Sequence, residues 1–487
     1  MSNKQPASQL AKGSVIGSIA LAAGYLTQYL FQLSVSRTLE AEAAGTLFIA
    51  FAFVLLVSVI ARFGLDKTGL KAVSVYFTEN RPGTIREITR LLALLTGLSS
   101  VLVGGFIIFG GSRLTALIAL PSDDLSLTII YAAIPLITLS IIFAEVLRGM
   151  RLVGRSSLVQ LLVPYGAAII IVWGAWHLNG GTTLAGALAF FSGFAASALL
   201  GAGFILRATT ACSEPVFSHY QDVTKGAPSM LWSSLILFAI SSGDVIILGY
   251  FVPANEVAYY FAASRTAMLI SVGLVGINSI VVPMIASAHK EQNLQHLGQV
   301  ARMGARLSIS VAMFLIGFLF LAGEWVLSLF GSEYEGSFIL LLILLTGQLV
   351  NSAVGAVAYI MFMSGQERNA ARILTVVIFI MLTLYVMVIP GFGIKGAALV
   401  TAFGIAIWNL GMMRSIYRTL GVITHADNLS RCALFLTGVA VTAFVVDLTG
   451  TTALYPALLY TLVTPVVLWK YVLLDEDRDA LMSVAGR

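Results

Sequence analysis

The sequence predicts an all-α polytopic membrane protein with about fourteen transmembrane helices. Three observations carry that expectation. The composition is too apolar and too weakly charged for a soluble chain. Apolar runs recur at spanning length. Basic residues gather on one side of the implied membrane.

Of the 487 residues, 58% are hydrophobic and only 10% are charged, whereas soluble domains carry roughly 25% charged residues. No polar stretch is long enough to form a soluble domain, so nearly all of the chain is span or short loop. Apolar runs fall at 14–34, 43–63, 91–110, 127–147, 157–177, 183–206, 229–252, 257–282, 305–328, 337–363, 371–389, 395–413, 431–449 and 453–472, each near the length a bilayer requires. The first is too long for a signal-peptide core and lacks an A-x-A exit, so it reads as a retained helix. An even number of spans places both termini on one side. All but four of the 28 Lys and Arg residues, namely Arg37, Arg113, Arg265 and Lys395, then lie on loops and flanks of that terminal side. By the positive-inside rule both termini are cytoplasmic. The net charge of +5 is therefore an orientation signal, and no nucleic-acid partner is expected.

An internal repeat organises the spans. A shift of 213 residues lays "SRTLEAEAAGTLF" (36–48) on "GYFVPANEVAYYF" (249–261) and "YFTEN" (76–80) on "HKEQN" (289–293). It also lays the turn after Gly110 on the turn after Gly323, and "LAGALAFFSG" (184–193) resembles "IKGAALVTAFG" (394–404) at a slightly different offset. Two six-helix lobes follow, 1–210 and 211–425, with helices 13 and 14 and a cytoplasmic tail in 426–487. Paired bundles around a midplane site are how many secondary transporters are built.

Within this frame "SRTLEAEAAGTLFIAFAF", "RFGLDKTGLKAV" and "GFGIKGAALVTAFG" resemble the polysaccharide-transporter (Wzx-like) branch of the MOP flippase superfamily. That superfamily also holds the MATE drug exporters and the lipid II flippases. The resemblance spans essentially the whole chain. It implies a V-shaped pair of lobes working by alternating access in the cell inner membrane. The implied cargo is an oligosaccharide on a polyprenyl diphosphate, such as an O-antigen or exopolysaccharide repeat unit, turned from the cytoplasmic to the periplasmic leaflet. Membrane lipid and a polysaccharide polymerase are the implied partners. Lipid II flippases carry an arginine midway along helix 1, where this chain has Gln28, Phe31 and Gln32. That departure argues against lipid II as cargo.

Several residues are candidates for handling such a cargo. Asp244 and Arg265 flank a turn at Pro253–Asn255 and, counted from Ala254, lie at matched depth near the midplane. A lone charge there costs roughly 2.5–3.5 kcal/mol on insertion scales, so such residues face partners or a watery cavity. Two roles fit: a structural pair locking helices 7 and 8, or an arginine that meets the anionic headgroup while Asp244 tunes it or takes a coupling cation. In "RFGLDKTG" (62–69), Arg62, Asp66 and Lys67 sit at the cytoplasmic end of helix 2, with Arg62 and Asp66 four apart on one face. They form either a local ion pair among snorkelling bases or a basic mouth for the diphosphate, and Glu145 with Arg148 presents the same choice. Gln28, Gln32, Asn278, Gln348 and Asn351 are amides within spans, suited to interhelical hydrogen bonds or to sugar hydroxyls. "GSVIG" (13–17) reads as intrachain packing, and Tyr259–Tyr260 as interfacial belt.

Catalytic and metal signals are thin. The histidines at 177, 219, 289, 296 and 425 are scattered, Cys212 and Cys432 lie far apart, and no HExxH, GxSxG or P-loop occurs. "DED" (475–477) sits on a short tail. No cofactor, metal or enzymatic activity is expected. Without a Walker motif, an H+ or Na+ gradient or the cargo gradient itself is left to drive transport. Two other functions compete with the flippase: a MATE-like drug/cation antiporter, which favours acidic cavity charges, and a membrane-embedded polysaccharide polymerase or ligase. The longest outward loop, about 111–126, is short and holds only Arg113, Asp123 and Asp124 as charges, which argues against the enzyme.

Overall fold

A computed structural model describes residues 5–110, 120, 124–209, 220–449, 454–474 and 478, and among these every regular element is helical. The chain divides into two compact units, Met1–Phe261 and Ala262–Arg487. The lobe boundary expected at 210/211 lies outside the described residues, as do Arg113, Asp123, Cys212, His219 and the "DED" tail.

The first unit contains α1 (Gln5–Thr38), α2 (Ala41–Arg62), α3 (Leu65–Thr78), α4 (Pro82–Gly110), α5 (Leu125–Ala132) and α6 (Ile134–Gly149). A short α7 (Val153–Ser157) runs through a π-helical turn, Leu158–Leu162, into α8 (Val163–Asn179). Next come α9 (Thr183–Ala208), α10 (Tyr220–Thr224) and α11 (Ala227–Phe251). The boundary between units falls within α12 (Ala254–Lys290). The second unit continues with α13 (Leu294–Ser328), α14 (Phe338–Val354), α15 (Val357–Met363), α16 (Glu367–Leu420), α17 (Leu429–Thr449) and α18 (Leu454–Val467). Among the described residues the expected apolar runs fall on helices, apart from the break at Gly355, and ten helical segments are long and apolar enough to cross a membrane. The protein is a multi-pass membrane protein.

Three details depart from, or sharpen, the expected segmentation. The amphipathic helix α3, expected as loop, buries Leu65, Gly69, Ala72 and Val73, the spacing of one helical face. The run 337–363 is broken at Gly355 (φ 77°), because α13 passes so close that a Cβ there would lie 2.9 Å from the Ala305 Cβ. The broken helix end is partly satisfied by the linker before α17, whose Ala426 N–H donates to the Ala353 carbonyl (3.0 Å). The linker is fastened further by Asp427, 3.2 Å from Arg306 and 4.0 Å from Arg302. Finally, the 54-residue α16 contains both spans 371–389 and 395–413, and the non-helical Gly393 (φ 54°, ψ −142°) separates them.

Helix ends repeat at the offset of 213. The α1–α2 turn, from Thr38 to Ala41, maps residue for residue on the α11–α12 turn, from Phe251 to Ala254. The α3–α4 and α12–α13 turns correspond within one residue, and each holds a non-glycine residue in the left-handed region, Asn80 (φ 56°) and Gln292 (φ 54°). Phe48 and Phe261, equivalent positions, stack face to face at 4.1 Å.

In the first unit, Ile85, Ile88 and Leu91 of α4 pack on Val73 of α3 and on Ile142 and Leu147 of α6. Gly149 permits the close approach of α6 to α3, since a Cβ there would lie 2.8 Å from Val73 Cγ1 and 3.0 Å from the Leu70 carbonyl. Gly17, the second glycine of "GSVIG", packs against Val153 of α7. The Tyr76 hydroxyl of α3 donates to Asp222 of α10 (2.8 Å). Partial burial, and secondarily that carboxylate, raises the Tyr76 phenol above its usual value. In the second unit, Tyr460 of α18 donates to the Met313 carbonyl of α13 (3.0 Å), with Cys432 of α17 buried nearby in the same core as Met313.

Candidate functional site

The charged residues at the end of α2 form one network in the first unit. The Arg62 Nη1 donates to Ser58 (2.5 Å), a hydroxyl that also accepts from Thr138 of α6 (3.2 Å). Arg62 Nε lies 3.6 Å from Asp66, and the two meet across the left-handed break at Phe63–Gly64 between α2 and α3 instead of sharing one helix face. The Ala61 carbonyl beside them accepts from Ser99 of α4 (2.5 Å). Lys67 turns the other way and donates to Glu145 of α6 at 2.8 Å. Arg148 reaches the same carboxylate at 3.1 and 3.2 Å, and its second amino group donates to Gln160 of the π-helical turn at 2.6 Å. Two motifs that sequence spacing left separate are thus joined through Glu145. Arg62, Asp66 and Glu145 are buried, while the Lys67 and Arg148 side chains remain 35% and 33% exposed.

Asp244 is buried in α11, and its two oxygens accept from the Val245 N–H (2.9 Å) and the Tyr260 hydroxyl (2.6 Å). Tyr260, expected in the interfacial belt, is instead fully buried, because α2 presses on the hairpin at Phe48–Phe261 and at Gly249–Ile49. Asp244 lies seven residues before Phe251, the last of α11, and Arg265 eleven residues after Ala254, the first of α12. The turn sits at Val252–Pro253, slightly before the Pro253–Asn255 expected from the sequence.

In the second unit Arg265 is half-buried, with Nη1 3.2 Å from the Met268 sulfur. Gln348 is buried and its side-chain oxygen accepts from Ser271 (2.9 Å) and Asn351 (3.4 Å), joining α12 to α14. Asn278 is half-buried on α12. In the first unit Gln28 donates to the Tyr165 hydroxyl (3.1 Å), and Gln32 is buried one turn on. Gln28 and Gln348 thus make interhelical bonds, while Asn351 bonds Gln348 within α14. A groove of about 530 Å³ also opens in the second unit, walled by Gly273, Ile277, Met284, Phe314, Leu468 and Trp469 among others. Among the described residues no three His, Cys, Asp or Glu side chains gather as a metal site would require.

The family described as polysaccharide biosynthesis protein matches residues 10–289, more than half of the chain. The chain belongs to that family. A relative of this chain is the probable low-salt glycan biosynthesis flippase Agl15 of Haloferax volcanii. It is 24% identical over 403 residues, covering 82% of this chain and 81% of the relative. Among solved structures, the lipid II flippase MurJ in an inward closed conformation aligns with a TM-score of 0.73 at 14% identity, covering 94% of this chain and 99% of that one. An inward-facing MATE-family multidrug resistance transporter aligns at 0.62 and 16% identity, covering 83% of this chain and 99% of that one. A MOP-superfamily transporter from Pyrococcus furiosus aligns at 0.57 and 16% identity, with coverages of 84% and 96%. The fold expected from the sequence is therefore that of the MOP superfamily.

Proposed function

We propose that this protein is a flippase for polyprenyl-diphosphate-linked oligosaccharide. It turns the glycolipid from the cytoplasmic to the periplasmic leaflet of the inner membrane, with both termini cytoplasmic. Membership of the family and the kinship with a glycan biosynthesis flippase support the cargo class. They favour a transporter over a polymerase or ligase, and a polymerase is then a partner downstream. The observation that carries the lipid part of the reading is the apolar groove of the second unit. Its wall of Ile277, Met284, Phe314 and Leu468 offers a hydrocarbon chain cover and offers a drug cation no counter-charge. An anionic diphosphate moving outward is also favoured by the membrane potential, by about 2.3 kcal/mol per charge at 100 mV. An H+ or Na+ gradient can add to that drive.

The test is flipping of defined polyprenyl-diphosphate glycans in reconstituted vesicles, read as glycan accessible to an external enzyme. Gly276 lines the groove, and a Cβ there meets nothing within 4 Å, so Gly276→Phe adds bulk to the groove from a position where its Cβ is uncrowded. Displacing about two methylenes of the prenyl chain is worth roughly 1.6 kcal/mol, about tenfold in affinity. Flipping by Gly276→Phe at the wild-type rate would remove the groove from the reaction. The orientation is checked by labelling. Asn255→Cys and Phe392→Cys are expected to react with a membrane-impermeant thiol reagent from the periplasm, and Glu291→Cys only after lysis. Reaction of Glu291→Cys from outside would overturn the topology.

A further inference from the structure

We infer that Lys67 and Arg148 form a fork for a phosphate-bearing lipid headgroup, with Glu145 and Gln160 as its positioning residues. The inference builds on the glycolipid reading and moves the headgroup contact away from Arg62. That guanidinium is buried and already faces Ser58 and Asp66, whereas Lys67 and Arg148 present about a third of their side chains outward. Both rest on a single oxygen, Glu145 Oε1, at 2.8 and 3.1 Å, so their nitrogens are no farther apart than those two bonds laid end to end. Glu145 is only 2% exposed and lies beneath the two cations as their common support.

The charge count is unequal: two cations share one carboxylate. An ammonium has three donors and a guanidinium five. Among the described residues Lys67 uses one donor on Glu145, and Arg148 places one amino group on Glu145 and the other on Gln160. Unused donors on two adjacent cations suit phosphate oxygens, which form short charge-assisted bonds with both side-chain types. Fixing Arg148 at both ends limits the entropy lost when an anion arrives. Gly149 sets the spacing by bringing α6 onto α3. The π-helical turn delivers Gln160, and such turns recur at functional sites. Room for the rest of a headgroup exists as well, since an open groove lined by Lys67, Lys71, Ser74 and Thr78, with Glu79 at the end of α3, runs along that helix.

The test uses the full-length protein in nanodiscs of neutral lipid, with acylation of Lys67 by an amine-reactive reagent followed by mass spectrometry. Inorganic pyrophosphate and polyprenyl diphosphate are each expected to slow acylation of Lys67 by at least about tenfold, the effect of one charge-assisted bond, while exposed Lys225 is unaffected. Stronger protection by polyprenyl diphosphate than by phosphatidylglycerol assigns the fork to cargo. Equal protection assigns it to bulk phospholipid. Absence of protection by all three probes overturns the site. Arg148→Ala is expected to raise the half-protecting concentration about tenfold, Arg148→Lys less, and Gln160→Leu by an intermediate factor at an unchanged melting midpoint. Protection of Lys67 left intact in Arg148→Ala, with only the melting midpoint lowered, would make the triad purely structural. Because protection is read without transport, a protein that binds but never flips refutes the flippase and leaves the fork. Flipping with Lys67 unprotected does the reverse.

Discussion

Gly45→Ala is expected to strip the membrane of folded protein, an effect out of proportion to one methyl group. Gly45 lies on the first turns of α2, where the α11–α12 turn crosses it. A Cβ at this position would lie 1.8 Å from the Ala254 carbonyl oxygen and 2.5 Å from its carbon. Neither atom is the movable tip of a side chain, so relief requires the helices to part. Parting them also unstacks Phe48 from Phe261 and lifts Ile49 off Gly249, the contacts that keep Tyr260 buried against Asp244. A cost above about 4 kcal/mol places the change among the few that unfold a domain outright. Gly105→Ala, at a glycine whose Cβ would meet nothing within 4 Å, should stabilise by up to about 1 kcal/mol through helix propensity alone. Membrane abundance and the thermal midpoint in detergent measure both. A Gly45→Ala protein with wild-type abundance and melting would show that α2 and the hairpin are not in the contact described.

The spans were legible because a bilayer demands some twenty apolar residues in a row, a signal that no soluble core mimics at this frequency. The repeat was legible at its turns, where Thr38/Ala41 and Phe251/Ala254 keep the same offset. What hydropathy could not show was α3, whose buried residues alternate with Lys67, Lys71 and Ser74. Nor could it show the break at Gly355, where one glycine in an apolar run answers to a neighbouring helix. Arg62 and Asp66 were legible as neighbours in the sequence, although they meet across the break at Phe63–Gly64 and not along one helix. The link from Lys67 to Glu145 crosses 78 residues and depends on Gly149 admitting α3, so no local pattern announces it. Tyr260 is different. Counting outward from Val252–Pro253 in an antiparallel hairpin puts it at nearly the depth of Asp244, to which its hydroxyl donates.

Arg265→Ala is expected to abolish glycolipid flipping while leaving the protein folded, and the surroundings of Asp244 explain why the two effects separate. A buried carboxylate stripped of its partners costs several kcal/mol. Here Asp244 retains the Tyr260 hydroxyl and the Val245 N–H, so removing Arg265 does not strand it. Tyr260→Phe, by contrast, leaves an oxygen of Asp244 short of a donor and should lower stability by about 1–3 kcal/mol. Arg265 itself sits eleven residues into α12, at a depth where charge is retained only for a partner or a watery path. On the proposed function a diphosphate would be such a partner, and losing its contact should cut the rate by well over a factor of about ten. Arg265→Lys keeps the charge but loses the planar fork and should be partly active. If instead Asp244 and Arg265 merely lock two helices together, Asp244→Ala/Arg265→Ala would recover what either single change loses. Near-normal flipping by that double variant, at matched membrane abundance, would remove Arg265 from the cargo path.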